Sequence, residues 1–261
     1  MIGMLIILIV FGAMLSVLCW WQRKFQPEAE LVRKSLHIGM GVFALSFPWL
    51  LSALWQAVML CGLLLTVLLA LRRVAWLRLR LGAVLGSVAR RSDGELYFAL
   101  GVTALFCLAR HSLLLYSLPL LILALADAAA ALIGARFGRH RFRLIAGEKS
   151  LEGSFAFFMM TMATTYGGLV WIAALTTWQA LLMSVVASVF LTLIEALAWR
   201  GLDNLFLPLG AYGLLDYLLY CTTEEVLTLL LLTMWLMAAV VIFWKEFRHG
   251  SNYSQHRPNA A

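Results

Sequence analysis

The chain has 261 residues, 63% of them hydrophobic and only 13% charged, with a mean hydropathy of +0.92. A soluble domain does not carry that composition, so the sequence reads as an integral membrane protein. The net charge of +7 is gathered in a few short segments between apolar runs. That distribution indicates topology and excludes a nucleic-acid partner, which would need a broad basic surface.

The apolar runs are about 20 residues long, the length of a helix crossing a hydrocarbon core, and none alternates as an outer-membrane strand does. The expected fold is therefore an all-α, polytopic bundle of about eight or nine spans. The first covers about 2–21 and lacks a basic leader, so it is read as a retained span. Arg23, Lys24, Arg33 and Lys34 follow it. Spans two (about 36–53) and three (about 54–71) are joined by a nearly uncharged turn at Pro48. The next segment carries Arg72, Arg73, Arg78, Arg80, Arg90 and Arg91, spaced either for a helix lying in the interface or for a simple cytoplasmic anchor. Span four (about 96–109) is short, and span five (about 113–135) contains Asp127.

A third basic loop, from Arg136 to Glu148, precedes span six (about 153–174). Span seven (about 178–198) carries Glu195. The run with Pro208, Gly210 and Gly213 (about 205–221) suggests a broken eighth span, and a ninth covers about 226–244. Basic loops fall after spans one, three, five, seven and nine, which places the N-terminus outside and the C-terminus in the cytoplasm. One membrane domain is expected over 1–249, with a polar, disordered tail over 250–261. The cysteines Cys19, Cys61, Cys107 and Cys221 lie in or beside apolar runs without a CxxC pair, as small apolar residues do.

Four polar groups interrupt the hydrocarbon. Asp127, Ala131, Gly134 and Gly138 share one helix face, so a neighbouring helix or a ligand can approach the backbone there. A carboxylate within a span costs a few kcal/mol unless paired, and marks either a functional site or an assembly contact. Glu148, Lys149, Glu152 and Gly153 gather where span six begins. Backbone N–H groups there, with Lys149 and Gly147, favour a phosphate, while the carboxylates favour a cation; a capping cluster is the plainer alternative. Arg33 and His37 sit four apart at the start of span two, with Gly41 a turn further. Glu195, Asp203 and Asn204 form the fourth group, of which the last two also suit a turn. A P-loop is absent, since Glu148 interrupts the order its Lys and Ser would need.

Three stretches together resemble the CTP-dependent polyprenol and lipid kinases, a group that includes dolichol kinase and phytol kinase and is related to the phosphatidate cytidylyltransferases. They are RKSLHIGMG from Arg33 to Gly41, DAAAALIGARFG from Asp127 to Gly138 with EKSLEGS from Glu148 to Ser154, and EALAWRGLDNLFLPL from Glu195 to Leu209. The resemblance implies phosphoryl transfer from CTP, with Mg²⁺, to the hydroxyl of an isoprenoid alcohol or a diacylglycerol. It implies catalytic roles for Asp127, Lys149, Glu152 and Glu195, and metal contacts from Asp127, Glu152 and Asp203. Nucleotide contacts are implied for Arg33, Lys34, His37, Gly134, Gly138, Lys149, Ser150, Gly153 and Asn204. The implied partners are a lipid alcohol, a nucleotide and membrane lipids, at a site facing the cytoplasm from a bacterial inner membrane. Cytidylyl transfer to a lipid phosphate is the alternative within this chemistry, although the long C-terminal signature of those enzymes is not visible. An ion-coupled transporter is the alternative from another class, but no internal repeat supports it.

Overall fold

The computed structural model describes residues 1–73, 93–142 and 148–255, with 71–72 and 243–255 by their backbone alone. The interfacial reading of the arginine-rich segment after span three, together with Arg143 and Gly147, lies outside the described residues. What is described is helical apart from one two-stranded hairpin. In chain order the elements are α1 (Ile2–Phe25), α2 (Ala29–Ala44), the single turn α3 (Phe47–Leu50), α4 (Leu54–Arg73) and α5 (Gly94–Ala109). They continue with α6 (Leu113–Phe137), β1 (Arg141–Phe142), β2 (Lys149–Ser150), α7 (Leu151–Trp171), α8 (Thr177–Leu197), α9 (Asp203–Leu218) and α10 (Thr223–Gln255).

Four of these helices are long and apolar enough to cross a membrane: Ile2–Phe25, Leu113–Phe137, Thr177–Leu197 and Thr223–Ile242. Leu54–Ala70 and Gly94–Ala109 are shorter apolar helices. Two expectations are corrected. The second span is not one helix over 36–53: α2 starts at Ala29, just beyond Pro27, and ends at Ala44, and Pro48 then opens the separate turn α3. Nor is the eighth broken, since α9 runs through Pro208 without interruption. Proline at this position frees the carbonyl of Asn204, four residues earlier, and α5 packs Gly101 against it; a Cβ on Gly101 would lie 2.4 Å from Asn204 O. The last helix continues to Gln255, into the stretch expected as a tail.

Helix α6 is the centre of the bundle. From Leu118 to Ala128 nearly every residue is buried, and α2, α5, α7 and α9 all pack against it. Aromatic and branched side chains from several helices fill the surrounding core, among them Phe106, Tyr116, Phe157, Leu191 and Leu207. Tyr116 spends its hydroxyl on Ala44 O at 2.8 Å, tying α6 to the end of α2. By contrast, only 6% of the apolar window of α1 and 11% of that of α10 is buried. Exposed Ile9, Val17 and Trp20 on α1, and Leu231 and Trp235 on α10, are stable against hydrocarbon and not against water. All four cysteines are free, in keeping with their reading as packing residues.

Candidate active site

The backbone of α6 changes pitch just before its acid. Pro119 removes one donor from the helix ladder, and Ile122–Ala126 then forms a π-helical turn that ends at Asp127. Such a turn opens the hydrogen-bond ladder and leaves carbonyl groups to side chains. Leu123 O takes this role and accepts the His37 Nε2–H at 3.0 Å. The same ring nitrogen is 3.3 Å from Asp127 Oδ2, and Lys34 Nζ donates to that oxygen at 2.5 Å. Lys34 and Asp127 are both buried, with side chains 3% and 7% exposed. Helix α2 comes this close because of Gly41, where a Cβ would stand 2.5 Å from Ala124 Cβ. Lys34, His37 and Gly41 thus form one face, spaced three and four apart. Arg33 is turned away from it and pairs with Glu30 through Nη2 at 2.5 Å and Nε at 3.1 Å.

A second ion pair stands beside the first. Lys149, in β2, pairs with Glu195 near the end of α8, and Ser154 Oγ, from the first turns of α7, lies 3.5 Å from the other carboxylate oxygen. The hairpin positions the lysine: Arg141 pairs with Ser150 and Phe142 with Lys149 across its two strands. Ser150 then caps α7 by accepting from Gly153 N–H at 3.1 Å. The small face of α6 is occupied by α7 itself. A Cβ on Gly153 would be 2.8 Å from Ala130 O, and one on Gly138 would be 2.8 Å from Ser150 Cβ and Oγ. Gly134, likewise, faces Ser150 Oγ and the Cα of Gly153. Of the two occupants that this face admits in sequence, it is the helix that fills it.

Glu152 is not brought to Asp127. Its carboxylate accepts from His140 N–H at 3.2 and 3.3 Å and meets His140 Nδ1 at 2.7 Å, closing the base of the hairpin. The Glu152 N–H itself, then the His140 ring and the N–H groups of His140 and Arg139, hold its carboxyl down at about 2. Asp203 opens α9 and accepts from Asn204 N–H at 3.1 Å. Asn204 donates through Nδ2 to Gly94 O at 3.0 Å, while its buried Oδ1 has no partner among the described residues.

Lys149 lies within electrostatic reach of Glu195, Asp203 and Asp127, and Glu195 within reach of both aspartates. The predicted residues Lys34, His37, Asp127, Lys149, Glu195 and Asp203 therefore form one cluster, drawn from α2, α6, β2, α8 and α9. Glu152 stands outside it, Arg33 reaches Asp127 by charge alone while its hydrogen bonds go to Glu30, and Gly134, Gly138, Ser150 and Gly153 serve the packing around it. Sequence reasoning missed His140, Phe98, whose ring meets His37 edge-on at 5.0 Å, and the part played by Ser154. Ser154 stood within a quoted motif, whereas nothing in the sequence pairs position 140 with 152 or 37 with 98.

Over 187 residues the chain is 32% identical to the phytol kinase of Synechocystis sp., an alignment covering 70% of this chain and 77% of that relative. The chain belongs to the phytol/polyprenol kinase family. No family model matches the sequence, and no solved structure matches it. Among the described residues no three His, Cys, Asp or Glu side chains converge to cage an ion by themselves. Oxygen donors that come singly suit a hard cation arriving with phosphate, because Mg²⁺ is commonly held by one or two carboxylates plus phosphate oxygens and water.

Proposed function

We propose that the protein transfers the γ-phosphoryl group of CTP to the hydroxyl of a long-chain isoprenoid alcohol, phytol or a related polyprenol, within the membrane. The observation that carries this reading is the joining of two lysine–carboxylate pairs, the buried Lys34 with Asp127 and the partly buried Lys149 with Glu195, in one cluster. A lysine held by a carboxylate can exchange it for a phosphate at little electrostatic cost. The carboxylate so released can then take up a metal ion or a proton. In this reading nine helices span the bilayer with the N-terminus outside, and the cluster faces the cytoplasm, where the nucleotide is.

Lys149 receives the triphosphate first, because its side chain is 23% exposed while that of Lys34 is 3% exposed. Glu195, freed from Lys149 and flanked by Ser154, accepts the proton of the acceptor hydroxyl as its oxygen forms a bond to the γ-phosphorus. The bond from that phosphorus to the bridging oxygen breaks, and CDP leaves. Lys34 and His37 keep Asp127 oriented, and positioning with charge neutralisation supplies most of the rate. Asp127 and Asp203 are the residues that would hold Mg²⁺, which would neutralise charge on the transferring phosphate. Glu152, committed to His140, keeps the hairpin and Lys149 in place.

The test is incubation of the purified protein with γ-labelled CTP or ATP and a panel of phytol, farnesol, undecaprenol and diacylglycerol. Label is expected in an isoprenoid alcohol, from CTP, with its loss in Asp127→Asn and Lys149→Ala. Label in no lipid, or equal label in those two variants, overturns the assignment. Release of pyrophosphate in place of CDP would show cytidylyl transfer instead.

A further inference from the structure

Helices α8 and α9 each carry a residue of the cluster at one end, Glu195 and Asp203, and reach a cavity at the other. The cavity, of about 60 Å³, lies where these two helices meet the start of α10; Leu182 and Met183 of α8, Leu218 of α9 and Val226 of α10 are among the side chains that line it. All four are buried. Gln179 and Cys221 also reach its wall, the first accepting through Oε1 from Thr176 Oγ1 at 2.8 Å and the second donating through Sγ to Tyr217 O at 3.4 Å. Among the described residues that line it none is charged. A space of this size and lining admits the end of a hydrocarbon chain and excludes a charged headgroup.

The cavity stands at a defined distance from the acids. Met183 is twelve residues from Glu195 on α8 and Leu218 fifteen from Asp203 on α9, which at about 1.5 Å per residue separates cavity from cluster by roughly 18–22 Å. Between the two ends, Phe190 and Ile194 share a face of α8 with Met183 and meet α9 at Gly210. A Cβ on Gly210 would stand 2.8 Å from Ile194 Cδ1 and 3.8 Å from Phe190 Cε1. The contact is thus made by the ends of side chains, which move by rotation about their own bonds. One turn further, a Cβ on Gly213 would meet nothing within 4 Å, while Phe206 and Tyr217, on the same face of α9, are 50% and 55% exposed. On the line from Asp203 to Leu218, α9 therefore presents to the bilayer a recess between two aromatic rings. Gly12 and Gly62 are equally open, but they lie on α1 and α4, which carry none of the cluster.

We propose that the hydrocarbon chain of the acceptor lies along α8 and α9 and ends in this cavity, which selects alcohols by the length of their chain. The occupant follows from the distance. A twenty-carbon isoprenoid alcohol such as phytol, with sixteen carbons in its main chain and bonds of about 1.5 Å that each advance it by about 1.3 Å, is about 20 Å long when extended. With its hydroxyl at Glu195 such a chain reaches the cavity, and a ten-carbon alcohol stops about halfway. Met183, Leu218 and Val226 are thereby specificity-determining residues. The proposal rests on the kinase reading above and adds where the chain of its lipid substrate is measured.

The experiment uses the full chain in liposomes with two acceptors, a twenty-carbon and a ten-carbon isoprenoid alcohol. Val226→Phe fills the cavity and should lower kcat/KM for the longer alcohol about tenfold or more, leaving the shorter one within about twofold. Leu231→Trp, on the exposed face of α10, should change neither. Equal effects of Val226→Phe on both acceptors, or on neither, overturn the proposal. A photoreactive twenty-carbon alcohol with its diazirine at the far end of the tail provides a measurement that needs no variant. Label at Leu182, Met183, Leu218 or Val226 that excess unlabelled alcohol displaces supports the site. Label elsewhere, no label, or label that phospholipid displaces and the unlabelled alcohol does not, overturns it. A wild-type protein that phosphorylates neither acceptor while the tail still labels the cavity sinks the kinase reading and leaves the chain site standing.

Discussion

Removal of Lys34 tests whether the Asp127 pair is the buried electrostatic unit described above. Both side chains are almost fully enclosed, and their bond is direct at 2.5 Å. Lys34→Met keeps the length of the side chain but leaves Asp127 with His37, at 3.3 Å, as its nearest partner. Breaking a buried pair by deleting one partner costs about 3–5 kcal/mol, because the remaining charge is uncompensated. For a chain of this size that corresponds to a loss of roughly 6–20 °C in the unfolding midpoint, at about 2–4 °C per kcal/mol. Asp127→Leu alone should destabilise in the same way by stranding the lysine. The double variant Lys34→Met with Asp127→Leu replaces both charges with apolar groups and should recover most of the loss. Thermal unfolding in detergent measures all four corners of the cycle, and phosphoryl transfer should be absent from all three variants. Additive losses in the double variant, or a Lys34→Met protein as stable as the wild type, would show that the two groups are not a coupled buried pair.

Two further predictions concern the hairpin and the seam beneath it. Gly153→Ala forces a methyl group to within 2.8 Å of Ala130 O and 3.1 Å of Ser150 Oγ, so α7 must shift; a cost of about 1–3 kcal/mol is expected, with loss of activity as Lys149 moves. A stable, fully active Gly153→Ala protein would refute the close packing of α6 on α7. The Glu152 carboxyl, followed by carbon NMR, should titrate near 2. In His140→Ala it should rise only part of the way to the ordinary glutamate range, because the helix-start N–H group that contributes most remains. The sign follows from a depressed carboxyl: the clasp stabilises the hairpin fully above the usual carboxylate range and loses that contribution as pH falls through about 2. An unshifted titration in His140→Ala would remove the ring from this account.

Helix positions were legible from the sequence because a span in hydrocarbon needs an unbroken apolar run, and the runs are long. Where prolines punctuated them, the reading was less secure. Pro48 and Pro208 are each flanked by apolar residues, yet one separates two helices and the other lies inside a continuous one. The difference is tertiary: Gly101 covers the carbonyl that Pro208 frees, and nothing local to residues 205–221 records that. Asp127 and Glu195 were legible as candidates for a similar reason, since a charge within an apolar stretch has few structural excuses. Their partners were not. Lys34 and Arg33 are adjacent in sequence, and only the rotation of α2 against α6 decides which of them reaches Asp127. Glu152, at the start of span six, was grouped with Glu195, in span seven, as a catalytic carboxylate, but the hairpin turns it toward His140, a contact closed over twelve residues. The π turn was invisible as well, because Ile122–Ala126 has the composition of any buried helix.

The arrangement of glycines explains why the cluster is held rigidly. Gly41, Gly101, Gly134, Gly138 and Gly153 remove side-chain bulk where helices cross, so the backbones that carry Lys34, Asp127, Lys149 and Asn204 are fixed by contact and cannot drift apart. Rigidity of that kind is what electrostatic positioning requires, since a lysine displaced by an ångström no longer meets its carboxylate.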